Sequence, residues 1–182
     1  YMYFGGIWGG QLQRWRNGLF NASQPASPIA HLPEPNEPAL CAKVAKLTDD
    51  LLEFAEDPSD VIILDENGKP LLQGDTERRF FEASWLHKYN GKYYFSYSTG
   101  DTHFLCYAIG DNPYGPFTYG GRILEPVVGW TSHHSICEFE GKWYLFYHDS
   151  SLSKGVTHLR CVKVTELVHD ENGKIKTIKP YR

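Results

Sequence analysis

Glu82 carries the only ionisable side chain in Phe80-Phe81-Glu82-Ala83-Ser84-Trp85. A carboxyl group walled by aromatic rings is a candidate proton donor, because a low dielectric favours its neutral form. Phe80, Phe81 and Trp85 are the walls at hand. A solvated glutamate at a strand start, or a partner for Arg78 or Arg79, are the plainer alternatives. Fifty residues on, Thr131-Ser132-His133-His134-Ser135 sets two imidazoles side by side. Neighbours on a strand point to opposite faces, so one of the two can enter a shared hollow. A lone imidazole suits zinc poorly, since zinc takes three or four protein ligands. Calcium completed by water is the better candidate, with His133 as its ligand. Both rings could instead be hydrogen-bonded to backbone.

Two further side chains invite a ligand. Arg160 stands in the apolar run His158-Leu159-Arg160-Cys161-Val162, and a guanidinium facing an interior requires a carboxylate or a polar ligand. Trp130 precedes the histidine pair and offers a flat apolar face to a sugar ring, as does Phe81 beside Glu82; core packing is the common alternative for both. His134 joins them as a candidate substrate contact. Other chemistries find no support. Gly5-Gly6-Ile7-Trp8-Gly9-Gly10 lacks the strand-to-helix setting of a phosphate loop, and no G-x-S-x-G elbow is present. The formal charge is −4 with no basic block, which argues against nucleic acid. No apolar run reaches the roughly 20 residues of a membrane span. Four cysteines, Cys41, Cys106, Cys137 and Cys161, lack metal-type spacing and read as buried free thiols in apolar strands, with disulfides the alternative.

The elements that position these residues form a repeat. At an offset of fifty, Gly91-Lys92-Tyr93-Tyr94 falls on Gly141-Lys142-Trp143-Tyr144, and Tyr97 on Tyr147. Each copy is a strand, a tight turn (Asn90-Gly91, then Glu140-Gly141) and a second strand. Further turns are expected at Asn67-Gly68 and, in a last hairpin over 157–178, at Asn172-Gly173. Almost nothing reads as a long amphipathic helix, and 17–38 reads as an irregular, proline-rich loop. Repeats of about 40–50 residues built from short strands indicate propeller blades, with each innermost strand lining a central channel. The fold class is therefore all-β, a partial ring of about half a propeller. Its segments are a blade remnant over 1–60, a second blade over about 61–125 and a third over about 126–182. An open ring leaves strand edges and an aromatic-rich surface to be covered, by a second copy or by a separate N-terminal half.

The segments FFEASWLHKYNGKYYFSYS and HHSICEFEGKWYLFYHD closely resemble the fourth and fifth blades of glycoside hydrolase family 43, the five-bladed arabinofuranosidases and β-xylosidases. PALCAKVAKLTDDLLEF, GDNPYGPFTYGGRIL and HLRCVKVTELVHDENGKI resemble neighbouring passages of that family. The resemblance implies inverting hydrolysis of arabinofuranosyl or xylosyl linkages, with Glu82 as general acid. It matches the family's metal-site histidine to His133 and its sugar-reaching arginine to Arg160. It also places the base Asp and the Asp that tunes the acid upstream of Tyr1. The alternative is a catalytically incomplete, carbohydrate-binding half. The opening YMYFGGIWGG reads as the middle of a strand, so the lack of a leader says nothing of compartment.

Overall fold

The computed structural model of the protein describes residues 1–7, 12–23, 32–130 and 132–181. Part of the expected loop over 17–38 lies outside the described residues. The described residues hold eleven strands, one 3-10 helix (Leu12–Gly18) and no α-helix. The strands form three sheets. The first contains β1 (Met2–Phe4), β2 (Lys43–Ala45) and β3 (Ser59–Asp60). The second runs, from one edge to the other, through β5 (Glu82–Tyr89), β6 (Lys92–Ser98), β7 (Leu105–Gly110), β8 (Phe117–Leu124) and the short parallel β4 (Ile63–Leu64). The third comprises β9 (His134–Phe139), β10 (Lys142–Asp149) and β11 (Cys161–Leu167). The edge strands β1, β5 and β9 adjoin in that order, so one strand of each sheet meets the next at a common axis.

Local chemistry explains the two central hairpins. Tyr89 pairs with Lys92 and Phe139 with Lys142, leaving two-residue turns. All four turn residues have positive φ: Asn90 45°, Gly91 78°, Glu140 51° and Gly141 77°. That is the turn whose twist matches a hairpin, and Asn-Gly favours it. At Asn67-Gly68 the turn forms, tied by Asp65 Oδ1 to the Asn67 and Lys69 amides, but its return arm meets β4 through a single bridge, Leu64 with Pro70. The last hairpin turns at Asn172-Gly173 as expected, with His169 bridged to Ile175 and the Lys176 N–H donating to Val168 O. Its return arm also reaches the second sheet: Ile175 donates its amide to Tyr107 Oη, and Ile178 N–H to Ile123 O. Aromatic and aliphatic side chains of the second sheet capture it there.

Period-two alternation puts the second sheet between two cores. Phe95, Tyr97, Cys106 and Ala108 pack toward the first sheet, with Val44, Val61, Phe80 and Phe117. Tyr94, Leu105 and Tyr107 pack toward the third, with Ile136, Leu145, Tyr147 and Leu167. Burial of this kind contributes about 25 cal/mol per Å² of apolar area. The third sheet has one packed face only. Its other face exposes Phe139, Phe146, Val162 and Val164, with Val162 78% accessible. All four cysteines are free thiols, yet only Cys106 is fully buried. Cys137 lies exposed on that uncovered face, contrary to the expectation of burial.

Candidate active site

Glu82 opens β5, and a break in the strand's regularity decides where its carboxyl group goes. Glu82 pairs with Ser98 but Trp85 pairs with Ser96, so two residues of β5, Ala83 and Ser84, oppose one of β6, Tyr97. Ala83 takes up the extra residue with φ 63°, a left-handed conformation unusual for alanine. The bulge shifts the alternation by one, so Glu82 and Trp85 share a side. Trp85 Nε1 donates to Ile136 O in β9 at 3.2 Å, which shows that this side faces the third sheet. There Glu82 Oε1 lies 3.5 Å from His133 Nε2, its side chain only 20% exposed.

His133 belongs to a connected group. Its backbone N–H donates to His148 Nε2 at 3.0 Å, and the two rings stack at 6.2 Å between centroids. Arg160, just before β11, brings Nη1 to 3.4 Å from the same His148 nitrogen and donates from Nε to Thr157 O. Burial, then the positive charge of Arg160 and the neighbouring His133, lowers the pKa of His148. None of the carboxylates among the described residues forms an ion pair with Arg160, so the guanidinium is open to a polar ligand. The arginines expected as partners of Glu82 are engaged elsewhere: Arg78 binds Asp75 and Glu66, while buried Arg79 donates to Gln73 O and Thr99 O.

The remaining candidates separate. His134 turns the other way, its Nε2 2.7 Å from Ser96 Oγ between the second and third sheets, and burial lowers its pKa to about 3. It is thus not gathered with the group around Glu82. Phe81 is 5% exposed, and its ring packs beneath Gly100, where an added Cβ would come within 2.3 Å. Burial removes Phe81 from any sugar-facing role. Trp130 is exposed and meets the His103 ring edge-on at 4.7 Å.

Sequence reasoning passed over His148. The signal was in the repeat, where an offset of fifty sets Ser98 on His148 and Glu82 on Ser132. Two polar residues thus close the second hairpin where Glu82 and Ser98 close the first. Other acids are engaged elsewhere. Asp149 is buried against Lys163 Nζ at 2.7 Å, and Glu125 lies 3.9 Å from Arg122. Calcium asks for six to eight oxygen ligands. The described residues contain no group of three or more His, Cys, Asp or Glu side chains able to hold a metal ion. By themselves they do not fit a calcium site.

The half-ring of blades thus gathers a carboxyl group, two imidazoles and a guanidinium at its inner edge. No family model matches the chain. It is 66% identical over 98% of its length to a xylosidase/arabinosidase of Bacteroides ovatus, covering 53% of that protein. It is 62% identical to a β-xylosidase of Xylanibacter ruminicola, over 98% of this chain and 54% of the relative. Among solved structures, a family 43 β-xylosidase/α-arabinofuranosidase from a compost metagenome, in complex with xylotriose and calcium-free, superposes with a TM-score of 0.91. That match is 61% identical and covers all of this chain and 54% of the other. A family 43 enzyme of Xanthomonas citri gives 0.91 at 54% identity, over 99% of this chain and 53% of that one. The chain belongs to glycoside hydrolase family 43, whose five-bladed β-propeller it matches over about half its length. It spans about half the length of these relatives and corresponds to their C-terminal half.

Proposed function

We propose that this chain supplies the proton-donating half of an inverting glycosidase acting on xylosyl or arabinofuranosyl linkages. The observation that carries the reading is Glu82 itself. It is partly buried at the head of an inner strand, redirected by a bulge, and set 3.5 Å from His133 in a group that also holds Arg160. Its relatives include proteins named xylosidase/arabinosidase and structures solved with xylose or xylotriose.

In the proposed reaction Glu82 gives its proton to the departing glycosidic oxygen as the bond breaks. A His133 ring with its Nε2 proton toward the carboxyl group steadies the carboxylate left behind. Arg160 donates hydrogen bonds to a sugar hydroxyl, and Trp130 with His103 forms an aromatic wall for the saccharide. A water activated by a second carboxylate, about 6.5–9.5 Å from the first, attacks the opposite face. In this reading the second carboxylate belongs to the part of the propeller that this chain does not span.

The assembled protein should release 4-nitrophenol from the xyloside or arabinofuranoside, and Glu82→Gln should lower the rate by about 10²–10⁴, the usual worth of a positioned acid. Equal rates in the two proteins would refute the role of Glu82. A second reading, a half-propeller that binds saccharide without turnover, is favoured by the engagement of Asp149 and Glu125 elsewhere. Calorimetry showing sugar binding with no hydrolysis after assembly would select it.

A further inference from the structure

We propose that His148 is a positioning residue, holding the Glu82-facing His133 and the saccharide-facing Arg160 in register through one ring nitrogen. The proposal rests on the glycosidase reading of this site and adds a residue and a role to it.

The geometry is reciprocal. The His148 N–H donates to Ser132 Oγ at 3.1 Å, and the same hydroxyl donates to His148 O at 2.8 Å. In return, the His148 ring accepts the next backbone N–H, that of His133, at 3.0 Å. The last regular pair of the β9–β10 ladder is Tyr147 with His134. Beyond it these side-chain bonds replace the ladder, and they fix the corner from which the His133 ring reaches Glu82. Because Nε2 faces two donors, the His133 amide and Arg160 Nη1, it carries a lone pair and the ring proton sits on Nδ1. A protonated Nε2 would oppose both donors.

The consequence is preorganisation. Arg160 is held at Nε by Thr157 O and at Nη1 by His148, so its remaining N–H groups are aimed before a ligand arrives. A long side chain fixed in advance loses less entropy on binding. His148 therefore acts through its two neighbours.

Two substitutions separate this role from simple packing. His148→Gln keeps an acceptor oxygen near the position of Nε2, whereas His148→Leu keeps the bulk and removes the acceptor. In His148→Leu the His133 amide should exchange its hydrogen at least about tenfold faster, and xylotriose affinity measured by calorimetry should fall about tenfold, the equivalent of one lost hydrogen bond to a charged group. His148→Gln should stay within about threefold of the parent on both readouts. In an Arg160→Met background His148→Leu should cost little further affinity, because the group it positions is gone. Unchanged amide exchange in His148→Leu, a glutamine variant as impaired as the leucine one, or additive losses with Arg160→Met would overturn the proposal. If the parent protein binds xylotriose and His148→Leu binds it equally, the positioning role alone fails. If the parent binds no saccharide, the reading of the site fails and takes this role with it.

Discussion

At the scale of the residue, the position of one carboxyl group depends on one misfit backbone. Without the extra residue at Ala83, Glu82 would follow strict alternation and face the first sheet, away from His133. Ala83 holds φ 63°, a conformation that costs a residue with a Cβ about 1–2 kcal/mol. Branching at Cβ raises that cost, so Ala83→Val should lower thermal stability by about 1–2 kcal/mol or more. Ala83→Gly relieves the strain but loosens the unfolded chain, so its stability should stay within about 1 kcal/mol of the parent. Melting curves of both variants check this. A valine variant as stable as the parent would mean that the bulge is not strained. The sequence shows Glu82 among aromatic rings, yet the bulge is invisible there, because nothing in Glu-Ala-Ser-Trp marks an alanine for positive φ.

At the scale of the element, buried histidines tie the second sheet to the third and predict how stability responds to acid. His87 on β5 is 7% exposed and faces His169, beyond β11, with 3.1 Å between their Nε2 atoms. Burial, then His169 and His134, lowers the pKa of His87 from 6.5 to about 3. Burial likewise lowers His169 from 6.5 to about 4, partly opposed by Asp170. The unfolded chain therefore takes up protons first as pH falls. Stability is fully present above about pH 6.5 and declines as pH drops toward 4 and 3, with about 1.4 kcal/mol at stake per unit of pKa separation. Asp149 acts in a lower window. Against the raising effect of burial, hydrogen bonds from Cys161, Lys163 and Ser151 hold it at about 2, so its contribution is lost only below pH 3.8. Urea melts at intervals from pH 7 to 4 should show a steady fall, and a flat profile would contradict the neutral histidine pair. The hairpins invite a simpler test. Gly91 has φ 78° and no atom within 4 Å of an added Cβ, so Gly91→Ala should cost only the conformational penalty, about 1–2 kcal/mol. These turns were readable, because Asn-Gly between aromatic runs names its own geometry. The turn of the last hairpin was readable too, but not the docking of its second arm on Tyr107 and Ile123 of another sheet, a tertiary attraction that local pattern does not encode.

At the scale of the whole molecule, the open faces are as informative as the packed ones. The repeat made the blades legible, as it made Glu82 and His133 legible as the heads of two copies. It could not reveal that His134 and Phe81 point into packed interiors, since facing direction depends on which sheets flank a strand. The third sheet leaves Phe139, Phe146, Val162 and Val164 uncovered on one face. Apolar patches of this kind mark contact surfaces. The chain by itself should therefore associate, and Val162→Lys should weaken that association as read by light scattering. A monodisperse monomer over a wide concentration range would show that the face needs no cover. The central claim is that Glu82 protonates the leaving group, and the dependence of its loss on leaving-group acidity tests it most directly. In the assembled protein, kcat/KM of Glu82→Gln should fall by about 10²–10⁴ on xylobiose, whose departing alcohol needs a proton, and far less on a dinitrophenyl xyloside, whose departing phenolate does not. Equal losses on both substrates would contradict the account.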